Sequence, residues 1–171
     1  MIELYEGVPG SGKSYHAICE KFLPWVKQGR RLYIAVDGIY LDRLALFTGI
    51  ELSVLEQQIT LWKDSVEVLQ AFPHVEPGSA VIIDEAQTVF RSMQKVEPGL
   101  LRWLETHRHY GVDILLMSQD FRQMSQGVTR LIEATVKFRK LAFVGLSKKY
   151  QGKVRGNPED NEVIRAFVGT Y

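Results

Sequence analysis

Residues Gly7-Val8-Pro9-Gly10-Ser11-Gly12-Lys13-Ser14 fit the pattern G-x-x-x-x-G-K-[ST] at every fixed position, and nothing else in the chain restricts the fold as strongly. Three glycines and a proline let the backbone turn tightly. Successive N–H groups then point inward, and the start of a following helix adds its dipole, which together make an anion nest. Such a loop works between a strand and a helix, and the flanks read that way. Ile2–Glu6 is a short apolar strand, and residues 13–27 form a helix with Ala17, Ile18, Phe22 and Val26 on one side. Pro24 should bend this helix or open its last turn, and Gly29 should end it. The loop predicts a site for the phosphates of a nucleoside triphosphate, built from Gly7, Val8, Pro9, Gly10, Ser11, Gly12, Lys13, Ser14 and Tyr15. Lys13 would reach the β- and γ-phosphates, and Ser14 would hold Mg²⁺. The bland alternative is a glycine-rich turn with no ligand.

The remainder alternates strands and helices. Residues 32–36 read as a second strand, and residues 40–71 as broken helix with Leu41, Leu44, Leu52, Leu55, Val66 and Leu69 inward. Pro77-Gly78 is a turn, and residues 80–84 form a continuous apolar run suited to a strand buried on both faces of a parallel sheet. A helix follows. Another runs over residues 98–107 with Leu100, Leu101 and Leu104 inward and Pro98 in its first turn, and Gly111 stops it before a core strand at 114–117. Residues 134–155 read as β-structure with a turn near Gly145 or Lys148-Lys149. The pattern predicts an α/β fold: one P-loop NTPase domain over residues 1–171, three-layered, with a mostly parallel central sheet and a β-hairpin-like extension at its C-terminal end.

A second half of a nucleotide site is expected at the carboxyl end of the 80–84 strand, where open α/β sheets place their ligands. Asp84 would bind Mg²⁺ there, sharing the metal with Ser14. Glu85 separates enzyme classes. Kinases and GTPases have no need of a glutamate beside the metal aspartate, whereas a hydrolase uses one to orient and deprotonate water. ATP hydrolysis is therefore favoured over phosphoryl transfer, with Glu85 and Lys13 catalytic. Gln119, just past the 114–117 strand, is the candidate γ-phosphate sensor. The structural alternatives are a helix cap for the Asp84-Glu85 pair and a strand-end amide for Gln119.

Other polar clusters are less specific. His107 and His109, two apart on a helix, face different ways and lack a completing ligand, so the cluster reads as a basic helix end rather than a metal site. Arg108, Arg102 and Arg130 are each candidates for an arginine finger reaching a neighbouring subunit. The basic residues Lys137, Arg139, Lys140, Lys148, Lys149, Lys153 and Arg155 interleave with Phe138 and Tyr150. That composition either tracks a nucleic-acid backbone or protects edge strands against pairing, and edge protection is the simpler expectation. Trp25, Trp62 and Trp103 read as packing residues.

Composition limits the partners. With 21 Lys+Arg against 20 Asp+Glu, the net charge of +1 supplies no global attraction to nucleic acid or anionic lipid, so any such binding must be local. The lone Cys19 cannot form an internal disulfide, which suits a reducing, cytoplasmic compartment. The chain has no apolar run of about eighteen residues and no signal peptide. Residues 165–171 end without a polar tail, as expected of a piece of a longer protein.

Taken together, residues 2–15, the segment 81–87, Glu105-Thr106-His107-Arg108-His109 with Gly111, and the strand ending in Ser118-Gln119 resemble the zonular occludens toxin (Zot) N-terminal domain family. The resemblance covers most of the chain and the order of its motifs. It implies an additional-strand, catalytic-glutamate NTPase in which the 114–117 strand lies between the loop strand and the Asp84 strand, bringing Gln119 beside the γ-phosphate. It further implies the cytoplasmic ATPase part of an inner-membrane protein for filamentous phage assembly and export, anchored through a segment outside this chain. A homo-oligomer, possibly a ring, is implied, with phage single-stranded DNA, coat protein or other assembly proteins as its load.

Overall fold

The computed structural model describes residues 1–142 and 145–171. In chain order the elements are β1 (Ile2–Glu6), α1 (Lys13–Ala17), a π turn (Ile18–Phe22), α2 (Leu23–Lys27), β2 (Leu32–Ala35), α3 (Leu41–Thr48), α4 (Leu52–Gln58), β3 (Ile59–Leu61), α5 (Ser65–Ala71) and β4 (Ala80–Ile83). There follow α6 (Ala86–Val89), α7 (Pro98–Thr106), β5 (Asp113–Ser118), α8 (Gln126–Thr129), β6 (Ala134–Lys140), β7 (Lys149–Arg155) and β8 (Arg165–Thr170). The strands form one eight-stranded sheet in the order β3-β2-β4-β5-β1-β6-β7-β8. The first six are parallel, and β7 and β8 add antiparallel to β6. β5 lies between β1 and β4, as the resemblance implied.

Alternation along the central strands sends side chains to two cores. Ile2, Leu4, Val81, Ile83, Ile114 and Leu116 meet α5, α6 and α7 on one face, where Phe72, Phe90, Leu100 and Leu104 fill the layer. Ile34, Ile82, Leu115 and Met117 meet Ala17, Phe22, Val26, Leu44 and Leu55 on the other. The result is the expected three layers, with the 80–83 run buried on both sides. The helix after the loop is continuous, but its middle is a π turn. Pro24 has no N–H to donate and its ring crowds the preceding turn, so the wider π turn immediately upstream accommodates it.

Four expectations change. Between residues 40 and 71 the chain makes three separate helices and an edge strand, β3. Gly49 in a left-handed conformation (φ 73°) ends α3, and the Asp64 carboxylate caps α5 through the Val66 and Glu67 N–H groups. Each interruption resets the helical phase. Leu44 and Leu55 are buried and Leu41 and Leu69 half-buried against the cores, but Leu52 and Val66 face solvent, and Val68 occupies the inward position of α5. Second, the hairpin-like extension is a three-strand meander, because residues 165–170 form β8. Third, β8 is the edge, so β6 and β7 are interior strands and edge protection does not account for their lysines. Fourth, the helix over 98–107 ends at Thr106, and His107 opens a 3-10 turn. Near the expected turn Gly145 has φ 80° and its N–H donates to the Ala142 carbonyl at 3.1 Å, while residues 143 and 144 lie outside the described residues. Trp62 is buried and Trp25 and Trp103 are half-buried in packing positions.

The amino ends of the strands are pinned by charge. The Met1 ammonium and Arg30 both reach Asp113, at 2.9 and 2.7 Å, and Arg108 pairs with Glu133, whose carboxylate also accepts the Ile2 N–H. Burial pushes both carboxyls up, but these donors outweigh it and hold Asp113 and Glu133 below their ordinary values. A folded pKa below the unfolded one means the unfolded chain binds more protons in acid, so this stabilisation is present above about pH 4 and is lost as pH falls through the depressed values. Urea midpoints should be level near neutrality and fall below about pH 4, with a shallower fall in Asp113→Asn.

Candidate nucleotide site

The loop residues 7–15, Asp84, Glu85 and Gln119 lie together at the carboxyl ends of β1, β4 and β5. Gly7 leaves β1 with its N–H donating to the Ser118 carbonyl at 3.2 Å, which locks the loop's root to the end of β5. Gly10 and Gly12 hold left-handed conformations (φ 70° and 101°), and Lys13 begins α1 immediately afterwards. Lys13 is buried and curls back over the loop, donating to the Gly7 and Val8 carbonyls at 2.6 and 3.3 Å. Burial lowers its pKa, with Asp84 and Glu85 pulling the other way. The Ser11 hydroxyl is buried with no partner among the described residues. A cation with only carbonyls to hold and an orphaned hydroxyl inside the same loop fit a phosphate chain.

Ser14 Oγ donates to Asp84 Oδ2 at 3.3 Å, joining α1 to the end of β4. This is a hydroxyl and a carboxylate, hard oxygen donors of the kind Mg²⁺ takes together with phosphate oxygens and water. Among the described residues there is no group of three or more His, Cys, Asp or Glu side chains placed to hold a metal, so a two-residue contribution is the chemistry on offer.

Glu85 is the one non-glycine residue with positive φ (48°) among the described residues. That backbone strain, of order 1–3 kcal/mol, is typical of functional turns. Its N–H donates to Asp84 Oδ1 at 2.8 Å, and its carboxylate accepts from Gln119 Nε2 at 3.2 and 3.4 Å and from Gln87 Nε2. Ser14, Asp84, Glu85 and Gln119, from three distant segments, thus form one hydrogen-bonded chain beside the loop.

Three residues were given no role in the site by the sequence. Gln87 holds Glu85, and an amide two residues past the carboxylate was its only local sign. Tyr150 packs its ring against Gly12, and Tyr171 donates from Oη to the Gly10 carbonyl at 2.8 Å. Both are more than a hundred residues from the loop, beyond reach of any local pattern. Tyr15 stands exposed with its ring edge-on to Tyr150 and Tyr171, 6.3 and 5.7 Å between centres.

The remaining candidates lie elsewhere. Arg108 is engaged by Glu133 at the opposite, amino end of the sheet, while Arg102 and Arg130 stand exposed on α7 and at the end of α8. His107 is buried, its Nδ1 2.6 Å from the Leu104 carbonyl, and His109 is exposed. No helix among the described residues is long and apolar enough to cross a membrane.

A family model described as "Zonular occludens toxin (Zot)" matches residues 1–168. The "Gene 1 protein" of Xanthomonas phage phiLf is 27% identical over 164 residues, covering 88% of this chain and 37% of that protein. The chain spans between about a third and a half of the length of the curated relatives it matches. Among solved structures, the N-terminal domain of zonular occludens toxin from Neisseria meningitidis superimposes with a TM-score of 0.63 at 22% identity, covering 99% of this chain and 92% of that one. The genome packaging NTPase B204 of Sulfolobus turreted icosahedral virus 2, in complex with ATP-gammaS, superimposes with a TM-score of 0.61 at 17% identity, covering 98% and 95%. The fold is that of the P-loop NTPases.

Proposed function

Because this chain belongs to the zonular occludens toxin (Zot) family, we propose that it binds and hydrolyses ATP with Mg²⁺ to drive assembly and export of filamentous phage at the bacterial inner membrane. The observation that carries the reading is the continuous chain from Ser14 through Asp84 and Glu85 to Gln119, set against a complete phosphate loop. In this reading the backbone N–H groups of residues 10–15 cradle the phosphates, Pro9 having none to donate and that of Gly7 being held by the Ser118 carbonyl, and Lys13 exchanges its two backbone carbonyls for β- and γ-phosphate oxygens. Ser14 and Asp84 would hold Mg²⁺, which supplies neutralisation of the charge that builds on the transferred phosphoryl group. Glu85, oriented by Gln87 and Gln119, takes the proton of the attacking water. Gln119 holds that carboxylate and would contact the γ-phosphate when ATP is bound, a position from which it would report the state of the nucleotide to β5.

The chain would act as the cytoplasmic domain, residues 1–171, of a longer membrane-anchored protein. It would work as a homo-oligomer in which an arginine of one subunit completes the site of the next. Arg102 and Arg130 are the better placed for that, since Arg108 is already paired. Its load would be phage single-stranded DNA, coat protein or another assembly protein. The fold shared with a genome packaging NTPase favours one second reading, a DNA-translocating motor.

Titration with a fluorescent ATP analogue tests the binding half. Lys13→Ala should abolish it, and unchanged affinity would overturn the assignment of the loop. Gln119→Ala should keep ATP bound and slow phosphate release about tenfold or more, since it removes one of the two amides that orient the base. An unchanged rate would remove Gln119 from the mechanism.

A further inference from the structure

We propose that the open face of β6 and β7, beside the phosphate loop, is a track for one strand of nucleic acid, gripped by its phosphodiester backbone. A cleft of about 560 Å³ runs from Gly7, Val8 and Gln119 onto this face, and Arg122, Lys137, Arg139, Lys153 and Arg155 line it. In the β6–β7 register Lys137 lies directly opposite Lys153, with Arg139 opposite Gln151 and Thr135 opposite Arg155. Residues two apart share a face, so these cations project together, while Val136, Phe138, Tyr150 and Val154 pack into the core behind them.

Like charges directly opposite destabilise a sheet pair. Glu6, 3.5 Å from Lys137, offsets one cation, and the Asp120 carboxylate caps the Arg122 N–H of its own turn. Leaving Arg139 aside, Arg122, Lys137, Lys153 and Arg155 still outnumber the two carboxylates of the lining, Glu6 and Asp120, so the face keeps an excess of positive charge inside a concavity, on interior strands where protection against edge pairing has no purpose. Cations two residues apart recur about every 7 Å along a strand, a row that an extended phosphodiester chain with one charge per nucleotide can follow. The half-buried Phe121 ring, with the Arg122 guanidinium 5.9 Å from its centre, offers a stacking surface at the same cleft. Stacking needs an open base face, which a duplex does not present and an acidic peptide does not have.

The inference deepens the reading of the load given above, and its test is separable from ATP chemistry. Anisotropy of a labelled oligodeoxythymidylate of about 20 nucleotides, longer than a typical single-strand footprint, measures the grip directly. The unaltered chain should bind with a salt slope of about −2 to −3, as for three or four phosphates on a single strand. Lys153→Glu should weaken binding about tenfold or more while the melting temperature holds or rises, because the cross-strand repulsion is relieved. The Lys137→Gln/Lys153→Gln pair should lower the slope by about 1.4. Lys13→Ala should bind the oligonucleotide as the unaltered chain does, so failure of the ATP reading leaves this result intact. No binding at low salt, unchanged affinity in both Lys variants, or equal affinity for a duplex or for polyglutamate would each overturn the proposal.

Discussion

Glu85→Gln is expected to leave ATP bound and to slow phosphate release by about 10²–10⁴-fold, the usual contribution of a positioned general base. The substitution keeps the size of the side chain and its place between Gln87 and Gln119, so the loop, the Asp84 carboxylate and the Ser14 hydroxyl are undisturbed. What it removes is the ability to take a proton. Glu85 also occupies a strained backbone conformation that glutamine tolerates equally, so stability should not change. Stopped-flow phosphate release beside equilibrium ATP binding separates the two effects. Parallel loss of both would mean that Glu85 is structural.

Gly12→Ala should raise the dissociation constant for ATP about tenfold or more with the sheet intact. Gly12 sits at φ 101°, where an L residue is strained by about 1–3 kcal/mol, and an added Cβ would come within 2.7 Å of the Tyr150 ring. Tyr150 is buried on β7 and cannot simply rotate away, so the loop must shift and its N–H groups lose their common focus. Gly38→Ala is the control. Gly38 also has positive φ (81°), but its Cβ would meet open space. It should cost some stability without touching ATP affinity, as isothermal titration and thermal melts on both variants would show. Equal ATP affinity in Gly12→Ala and the unaltered chain would mean that the loop does not need its present geometry.

The parts of the molecule readable in the chain are those whose signal is local. The phosphate loop announces its own strand and helix, the 80–83 run is apolar because both its faces are covered, and Asp84-Glu85 and Gln119 are recognisable as polar residues ending core strands. What escaped depends on partners far away in sequence. β3 has three residues and no alternation to speak of, and it exists because β2 offers it a parallel neighbour. β8 reads as an exposed tail until β7 pairs with it, and that pairing turns lysines that resembled edge protection into an interior, uncovered face. Arg108 has the sequence of an arginine-finger candidate, and only the fold brings Glu133, 25 residues on, against it. Tyr150 and Tyr171 close on the loop only because the meander folds back over α1.

The central claim, that loop and strand-end carboxylate make one hydrolytic site, is tested most directly by identifying the nucleotide bound after the protein is mixed with radiolabelled ATP and Mg²⁺. ADP with released phosphate is expected from the unaltered protein, intact ATP from Glu85→Gln, and no retained nucleotide from Lys13→Ala. Intact ATP on all forms, or ADP formed equally by all three, would contradict it.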